Sequence, residues 1–275
     1  MSNQLIEILQ GEAIELLKQL IATPSFSKEE NDTAEIICSF FEGHSIPFAR
    51  VGNNIYAKNK YYDANKKSIL LNSHHDTVKP NKGYTVDPFT PLIKDGKLFG
   101  LGSNDAGGCL VSLIATFLYY YGRTDTAYNV VFAASAEEEI SGVNGIELVL
   151  PYLGEIDCGI VGEPTKLEMA VAERGLMVID CVAEGRAGHA ARKEGESALY
   201  KAVDDINWIR NFKFEKVSSL LGESMLTVTV IETDNKQHNV VPVQCKFVID
   251  VRVNELYTFD EILNELKSNL KSKFK

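Results

Sequence analysis

The segment LNSHHDTVKP, residues 71–80, places two histidines and an aspartate at the end of an apolar run. Side chains alternate between the two faces of an extended strand, so His74 and Asp76 share one face and His75 takes the other. A carboxylate two residues beyond a histidine can orient a metal-bound imidazole by accepting its second N–H. A hydrogen-bonded pair at a strand end, without a metal, explains the same two residues equally well.

Three further segments carry acidic residues directly after apolar runs. GLGSNDAGG nearly fits the glycine fingerprint of phosphate-binding turns, but Asp105 stands at the third glycine position and would repel a pyrophosphate. SAEEEISG, residues 135–142, holds three consecutive glutamates, and IVGEPT holds Glu163 before a proline. Each segment alone also fits an ordinary surface turn, a solvated helix start or a loop.

Predicted helices separate these segments in the first part of the chain. Apolar residues at helical spacing predict helices over residues 4–21 and 31–42, and two more near 107–121 and 142–153 alternate with strand-like runs. This alternation predicts a layered α/β domain with a mainly parallel sheet.

The pattern changes after about residue 172. Strand-like and helical runs then follow in the order β-α-β-β-α, which predicts a smaller α+β domain with two layers and an antiparallel sheet. We therefore expect one domain over residues 1–172 and a second over 173–275. The lysine-rich tail, KSNLKSKFK, is expected to be the solvated end of the last helix.

In the predicted α/β domain, four strands of one sheet are each followed by a histidine or an acidic residue. Ligand sites of open α/β sheets form outside the carboxyl ends of the strands. Histidine, aspartate and glutamate are typical ligands of a catalytic zinc, whereas a purely structural zinc usually has cysteine ligands. Motifs that are weak one by one therefore together predict a metal centre.

Composition and charge exclude several other classes of protein. The net charge of −10 argues against a general nucleic-acid binder. No apolar stretch approaches the roughly 18 residues of a membrane span, and the first residues do not have the pattern of a signal peptide. The five cysteines form no CxxC pair, which is typical of a reduced, cytoplasmic protein.

Taken in order, the motifs resemble those of the metal-dependent amidohydrolases that include acetylornithine deacetylase, succinyl-diaminopimelate desuccinylase, aminoacylase and carboxypeptidase G. The resemblance rests on SHHDTVKP, GSNDAGG, AEEE and VGEPT, and continues with ERG, EGRAGHA and NVVPVQCKFVIDVR over essentially the whole chain. HHDTV with NDAGG looks most like the acetylornithine deacetylase branch. The resemblance implies one or two zinc ions, with cobalt or manganese as alternatives, and a lid or dimerisation domain that joins a homodimer.

The resemblance also implies which residues hold the metal. His74 binds one metal, and Asp76 orients it without binding the metal itself. Asp105 bridges two metals, and Glu163 completes the first site.

The glutamate triplet supplies the remaining catalytic groups in this interpretation. Glu138 is the general base and then the general acid, and Glu139 is a ligand of the second metal. A shift of one residue, which would make Glu137 the base, stays open because the glycines downstream stand one residue later than in some members.

Three residues of the second domain are implied in substrate binding. His189 supplies the oxyanion donor by reaching in from a partner subunit, and Asn239 and Arg252 match positions that contact substrate carboxylates. A guanidinium suits that role, although Arg252 could instead make a structural salt bridge.

The sequence departs from the family pattern at its end. In the family, the chain returns after the second domain to finish the first, and that segment carries a final histidine ligand of the second metal. This chain ends at Lys275, and none of its other histidines stands in a matching context. We therefore expect an incomplete first domain, a second domain lacking its last strand, and weak or no activity of this chain alone.

The function expected from these features is zinc-dependent hydrolysis of an N-acyl-L-amino acid, most simply acetylornithine or an acylated citrulline, in arginine biosynthesis. Two alternatives stay open: a di- or tripeptidase on the same scaffold, and a truncated module that dimerises or binds amino acids without catalysis. A serine hydrolase is disfavoured because no GxSxG motif occurs.

Overall fold

The computed structural model describes residues 2–192 and 194–274. They form two compact units, Met1–Glu168 and Met169–Lys275. The predicted domain boundary, between residues 172 and 173, lies four residues further along the chain than the boundary between these units.

A five-stranded sheet forms the centre of the first unit. The strands of this unit are β1 (Phe48–Val51), β2 (Asn54–Lys58), β3 (Ser68–His74), β4 (Leu92–Lys94), β5 (Lys97–Phe99), β6 (Asn129–Ser135) and β7 (Cys158–Val161). The sheet has the order β1-β2-β6-β3-β7, in which β6, β3 and β7 run parallel and the β1–β2 hairpin is antiparallel. The parallel strands therefore end at the same edge, as the sequence predicts.

Four helices complete the first unit: α1 (Ser2–Ala22), α2 (Asn31–Gly43), α3 (Gly108–Tyr121) and α4 (Ile146–Leu153). Every residue of β6 is buried, which suits a central strand covered on both faces. Three phenylalanines from α2, α3 and β6 meet in the core, with ring centroids 5.6–6.1 Å apart: Phe41, Phe117 and Phe132. This packing fixes the helices against the sheet whose edge carries the site.

One strand lies outside the sheet in which it was expected. β5 pairs with β4 in a separate two-stranded hairpin and, among the described residues, with no strand of the main sheet. Asp95 and Gly96 join the two strands, both with positive φ (52° and 72°), as a tight hairpin turn requires. The expectation that four strands of one sheet carry the acidic residues is therefore wrong for this strand, because its Asp-Gly turn pairs it locally.

The second unit packs two helices on a four-stranded antiparallel sheet. Its elements are β8 (Gly175–Glu184), α5 (Ala198–Asn211), β9 (Met225–Thr233), β10 (Gln244–Val253), α6 (Phe259–Asn269) and β11 (Lys273–Phe274), with strand order β11-β8-β10-β9. α6 begins with a capping box in which Thr258 and Glu261 bond each other's backbone N–H. Alternate residues of β10 are buried, as expected for a sheet with one covered face.

The lysine-rich tail, residues 267–275, continues the last helix only as far as Asn269, so the expectation is wrong for the residues that follow. The buried carboxylate of Asp205 accepts hydrogen bonds from the backbone N–H groups of Lys271 and Ser272 and from the Ser272 hydroxyl, at 2.6–3.0 Å. These bonds turn the chain out of the helix, and β11 then pairs with β8.

Within the described residues, no helix combines the length and the apolar character needed to cross a membrane. All five cysteines are free thiols.

Candidate metal centre

His74, the last residue of β3, is the centre of the site, and its ring is almost completely buried. Its Nδ1 lies 3.0 Å from the backbone carbonyl oxygen of Asp76 and 3.4 Å from a carboxylate oxygen of the same residue. Because these oxygens accept hydrogen bonds, Nδ1 carries the proton of the neutral ring and Nε2 is the nitrogen that can bind a metal. The structure thus places Asp76 against the far side of the predicted ligand.

Three carboxylates surround Nε2 of His74. The nearest oxygens of Asp105, Glu138 and Glu163 lie 3.2, 3.7 and 3.8 Å from it. Glu163 follows β7 and Glu138 follows β6, the two strands that flank β3 in the sheet. The parallel order of the strands therefore brings these side chains together.

Asp105 comes from a different kind of element. It lies in the helical turn Ser103–Gly107, which leads into α3, and not at the end of a sheet strand. The turn begins at Gly102, where φ is +72° and an added Cβ would lie 2.7 Å from Cγ2 of Thr77. Glycine is therefore required at this position for the turn to lie against the segment after His74.

Asp76 is fully buried and holds more than the histidine. Its carboxylate accepts hydrogen bonds from the Ser27 hydroxyl (2.8 Å) and from the backbone N–H groups of Glu138 (3.0 Å) and Glu139 (3.2 Å). The same side chain thus orients His74 and fixes the turn that carries two predicted catalytic residues. Nothing in its residue type marks Ser27, in SFSKEE, as part of this site.

Two overlapping groups of side chains offer ligand atoms that all lie within 4.8 Å of one another. The first comprises His74, Glu138 and Glu163, and the second His74, Asp105 and Glu139. Imidazole and carboxylate are the donors that a divalent cation such as Zn²⁺ takes in catalytic sites. The side chains of Asp105 and Glu138 are about half exposed, so this donor set fits a cation that stays open to solvent.

The electrostatics of the site favour the binding of a positive charge. Burial alone would lower the pKa of His74, but Asp76, Glu163 and Glu138 outweigh it and raise the pKa to about 9. Burial raises the pKa of Glu163 to about 7, against the attraction of His74, with Glu138 and Asp105 adding to the rise. A cation among these carboxylates would remove the repulsion that keeps a proton on the site.

The structure also separates the members of the glutamate triplet. Glu137 has a left-handed backbone (φ 53°) and a buried carboxylate that accepts a hydrogen bond from the Asn144 side chain at 2.9 Å. Its other carboxylate oxygen has no partner among the described residues. Glu138 and Glu139, in contrast, belong to the two ligand groups around His74.

His75 points to the opposite side of β3, as the strand alternation predicts. Its Nε2 donates to the carbonyl oxygen of Asn53 at 2.8 Å, and its Nδ1 accepts from the Thr33 hydroxyl at 2.9 Å. Complete burial lowers its pKa, so the ring is neutral with both nitrogens bonded. His75 is therefore held by hydrogen bonds inside the protein, and among the described residues it belongs to neither ligand group.

A cleft of about 400 Å³ opens beside Asp105 and Glu139 within the first unit. Thr77, Tyr84 and Asn104 contribute to its walls. Its position next to the ligand groups gives a small molecule access to them.

The second unit holds the other three predicted site residues. His189 forms a β-bridge with Val240, and the N–H of Ala190 donates to the carbonyl oxygen of Asn239 at 3.0 Å. His189 and Asn239 therefore stand on paired segments. Arg252, on β10, pairs instead with Asp250 through two hydrogen bonds of 2.9 and 3.1 Å.

Comparison with known proteins gives a consistent picture. Residues 171–275 match the family model M20_dimer, the peptidase dimerisation domain. The chain is 25% identical over 270 residues to succinyl-diaminopimelate desuccinylase 2 of Ruegeria sp., covering 91% of this chain and 67% of that protein.

Two solved structures share the fold. An M20 family metallo-carboxypeptidase from Sulfolobus solfataricus has a TM-score of 0.71 at 17% identity, over 96% of this chain and 77% of that one. The YXEP protein of Bacillus subtilis, described as a dinuclear metal-binding peptidase of the M20 family, has a TM-score of 0.64 at 16% identity, over 98% and 74%.

These similarities confirm the predicted fold class, a mainly parallel α/β unit with a separate antiparallel unit. The related proteins are hydrolytic enzymes of a metal-dependent family, which confirms the expected class of enzyme. The curated relative is named for a succinyl substrate, so the narrower expectations of acetylornithine and of arginine biosynthesis find no support in it.

Proposed function

We propose that this chain, which has the fold of M20 peptidases and a matching dimerisation domain, hydrolyses the amide bond of an N-acyl-L-amino acid in a metal-dependent reaction. The observation that carries the proposal is the convergence of three carboxylates, those of Asp105, Glu138 and Glu163, on Nε2 of His74, with Glu139 in the second ligand group. One imidazolium offsets a single negative charge, so the cluster keeps a net negative charge that favours binding of a divalent cation.

His74, Asp105, Glu139 and Glu163 are the residues that would hold the metal, with Zn²⁺ as the proposed ion and a second ion as in the dinuclear relative. A bound cation polarises the scissile carbonyl and lowers the pKa of water toward neutrality. The chain itself fixes the positions of the metal ligands, because Glu139 and Glu163 follow strands of the main sheet.

Glu138 is the proposed general base. Its exposed carboxylate, 3.7 Å from Nε2 of His74, can accept a proton from a water at the site and then donate it to the leaving amine. Glu137 is disfavoured for this role because its carboxylate is buried against Asn144. Asp76 holds the peptide of Glu138 in place while the proton moves.

The second unit is proposed to complete the site in a homodimer. His189 would donate a hydrogen bond to the developing oxyanion from a partner subunit, and Asn239 would bind a substrate carboxylate. Arg252 could join them only by giving up part of its pairing with Asp250. We propose a cytoplasmic location, because a metal-dependent amino-acid deacylase with five free thiols suits a reducing compartment.

The acyl group is proposed to be succinyl, after the name of the curated relative, with acetyl as the alternative from the motif resemblance. A peptidase is the second candidate, because both solved structures with this fold are described as peptidases.

A substrate panel separates these possibilities. N-succinyl and N-acetyl forms of ornithine, citrulline and diaminopimelate, together with dipeptides, would be supplied to the zinc-loaded chain and amine release measured. We expect hydrolysis of an N-succinyl amino acid at least tenfold above the acetyl form. Preferential cleavage of dipeptides would replace the deacylase by a peptidase, and bound zinc without any turnover would favour a non-catalytic module.

A further inference from the structure

Four consecutive backbone N–H groups, those of residues 136–139, each donate to the side chain of a fully buried residue. The acceptors are Asn54 for Ala136 (2.9 Å), Glu30 for Glu137 (3.2 Å) and the two oxygens of Asp76 for Glu138 (3.0 Å) and Glu139 (3.2 Å). Side chains, and not strand pairing, therefore set the path of the turn that follows β6.

Glu30 is the least expected of these acceptors. Its carboxylate is completely buried and also accepts from the backbone N–H of Lys28 (2.6 Å) and the side-chain amide of Asn53 (2.9 Å). Within the described residues, no lysine or arginine forms an ion pair with it. Burial of a carboxylate without a cation is costly, so a contribution to stability alone does not explain its presence.

Helix capping does not explain Glu30 either. It occupies the position just before α2, where a side chain normally bonds a free N–H of the first helical turn. The Glu30 side chain makes no such bond and reaches instead across to Glu137, 107 residues further along the chain.

Glu137 is where that contact has most effect. Its left-handed backbone (φ 53°, ψ 23°) turns the chain so that the next two side chains enter the ligand groups around His74. A left-handed conformation is disfavoured for glutamate, so the turn needs bonds that hold it. The Glu30 carboxylate is the acceptor for the N–H of the residue that makes the turn.

We propose that Glu30 is a positioning residue that holds the Glu137 peptide and thereby directs Glu138 and Glu139 into the site. The catalytic part of this inference rests on the proposed function, whereas the structural part does not. The required property of residue 30 is its reach to the Glu137 N–H, and not its charge.

Two substitutions separate reach from charge. Glu30→Gln keeps the length of the side chain and the oxygen that accepts from the N–H groups of Lys28 and Glu137, but it removes the charge and replaces the oxygen that faces the Asn53 amide with a donor. Glu30→Asp keeps the charge but is shorter by one methylene. Glu29→Gln, at the exposed neighbour, controls for local changes, and Asn129→Ala removes a buried side chain that bonds Asp63, Lys66 and Ser68 at the opposite end of β6.

Hydrogen–deuterium exchange of a peptide covering residues 134–142 directly measures how well the backbone N–H groups of the turn are protected. We expect exchange about tenfold faster in Glu30→Asp, and within threefold of wild type in Glu30→Gln and both controls. For hydrolysis, we expect Glu30→Asp to lower kcat by about 10–100-fold, as for a misplaced catalytic group, with KM within threefold. Asn129→Ala is expected to lower the melting temperature without this loss of kcat.

The inference would be overturned by wild-type exchange in folded Glu30→Asp, or by fast exchange in Glu30→Gln. If Glu30→Asp does not fold, the exchange rate of Glu30→Gln alone tests the inference. Residues 134–142 must then exchange as slowly as in wild type although the charge of residue 30 is lost. If the wild-type chain hydrolyses none of the substrates, the proposed function fails while the exchange result still tests the positioning role.

Discussion

Replacing Asp76 with asparagine tests how the site is held together. Asparagine keeps the shape of the side chain but turns one oxygen acceptor into an N–H₂ donor. Four donors surround the carboxylate: Nδ1 of His74, the Ser27 hydroxyl and the N–H groups of Glu138 and Glu139. In Asp76→Asn, about two of these four donors would face the new N–H₂ group and no longer an oxygen.

The size of the effect follows from these contacts. Hydrogen bonds to charged groups contribute about 1.5–3 kcal/mol each, so losing two should lower the free energy of unfolding by about 3–6 kcal/mol. Loss of a group that orients a metal-bound histidine typically lowers metal affinity by about 10–100-fold, or about 1.4–2.7 kcal/mol. We expect Asp76→Asn to weaken zinc binding by that factor.

Calorimetric titration of zinc into the metal-stripped chain measures the affinity, with a melting curve to verify that the variant is folded. Ser27→Ala is the matched control, since it removes one donor and leaves His74 and both glutamate peptides bonded to Asp76. Its zinc affinity should stay within threefold of wild type. Folded Asp76→Asn with wild-type zinc affinity would refute the role given to Asp76.

Three other changes have defined outcomes. Glu138→Gln should lower kcat by about 10²–10⁴-fold while zinc content by elemental analysis stays unchanged, and retained turnover would exclude Glu138 as the base. Folding raises the pKa of His74 from 6.5 to about 9, so between pH 6.5 and pH 9 the metal-free folded chain binds more protons than the unfolded chain. Its free energy of unfolding, measured in denaturant titrations, should therefore fall by about 2 kcal/mol from pH 7 to pH 9. A rise over this range would contradict the raised pKa of His74. Gly142→Ala would make its new Cβ overlap Oε2 of the Glu137 side chain and lie 2.5 Å from the Cβ of Glu137, so kcat should fall at least tenfold, whereas Gly11→Ala, with nothing within 4 Å, should leave kcat unchanged.

The sequence is informative about the site where chemistry and strand order coincide. His74 and Glu163 follow apolar runs that could only be buried strands, and parallel neighbours necessarily end at one edge. The position of the glutamates after β6 follows from the same rule. For this reason, residue type and spacing were sufficient to bring these side chains together in the prediction.

Local hydrogen bonding and turn residues explain the two wrong predictions about the fold, namely the placement of β5 in the main sheet and the helical tail. The Asp95–Gly96 turn pairs β5 with β4 outside the main sheet, and Asp105 reaches the site from the turn that leads into α3. At the other end of the chain, Asp205 binds two backbone N–H groups of the tail and ends the helix. Both effects depend on turn residues and polar side chains, which the pattern of hydrophobic residues does not reveal.

The buried supports of the site could not be found from residue types. Glu29 and Glu30 are identical neighbours in SKEEND, yet the first is exposed and the second fully buried. The difference arises only when Asn53 and the turn at Glu137 are brought against α2 in the folded unit.

Hydrolysis measured against bound metal is the most direct test that the cluster around His74 carries the activity. The chain would be stripped with a chelator, its fold verified by circular dichroism, and zinc returned in steps while release of the amino acid from an N-succinyl substrate is followed. We expect turnover to vanish on stripping and to return with one to two equivalents of zinc, but not in Glu163→Gln. Turnover that survives complete removal of metal from the folded chain would contradict a metal-dependent site.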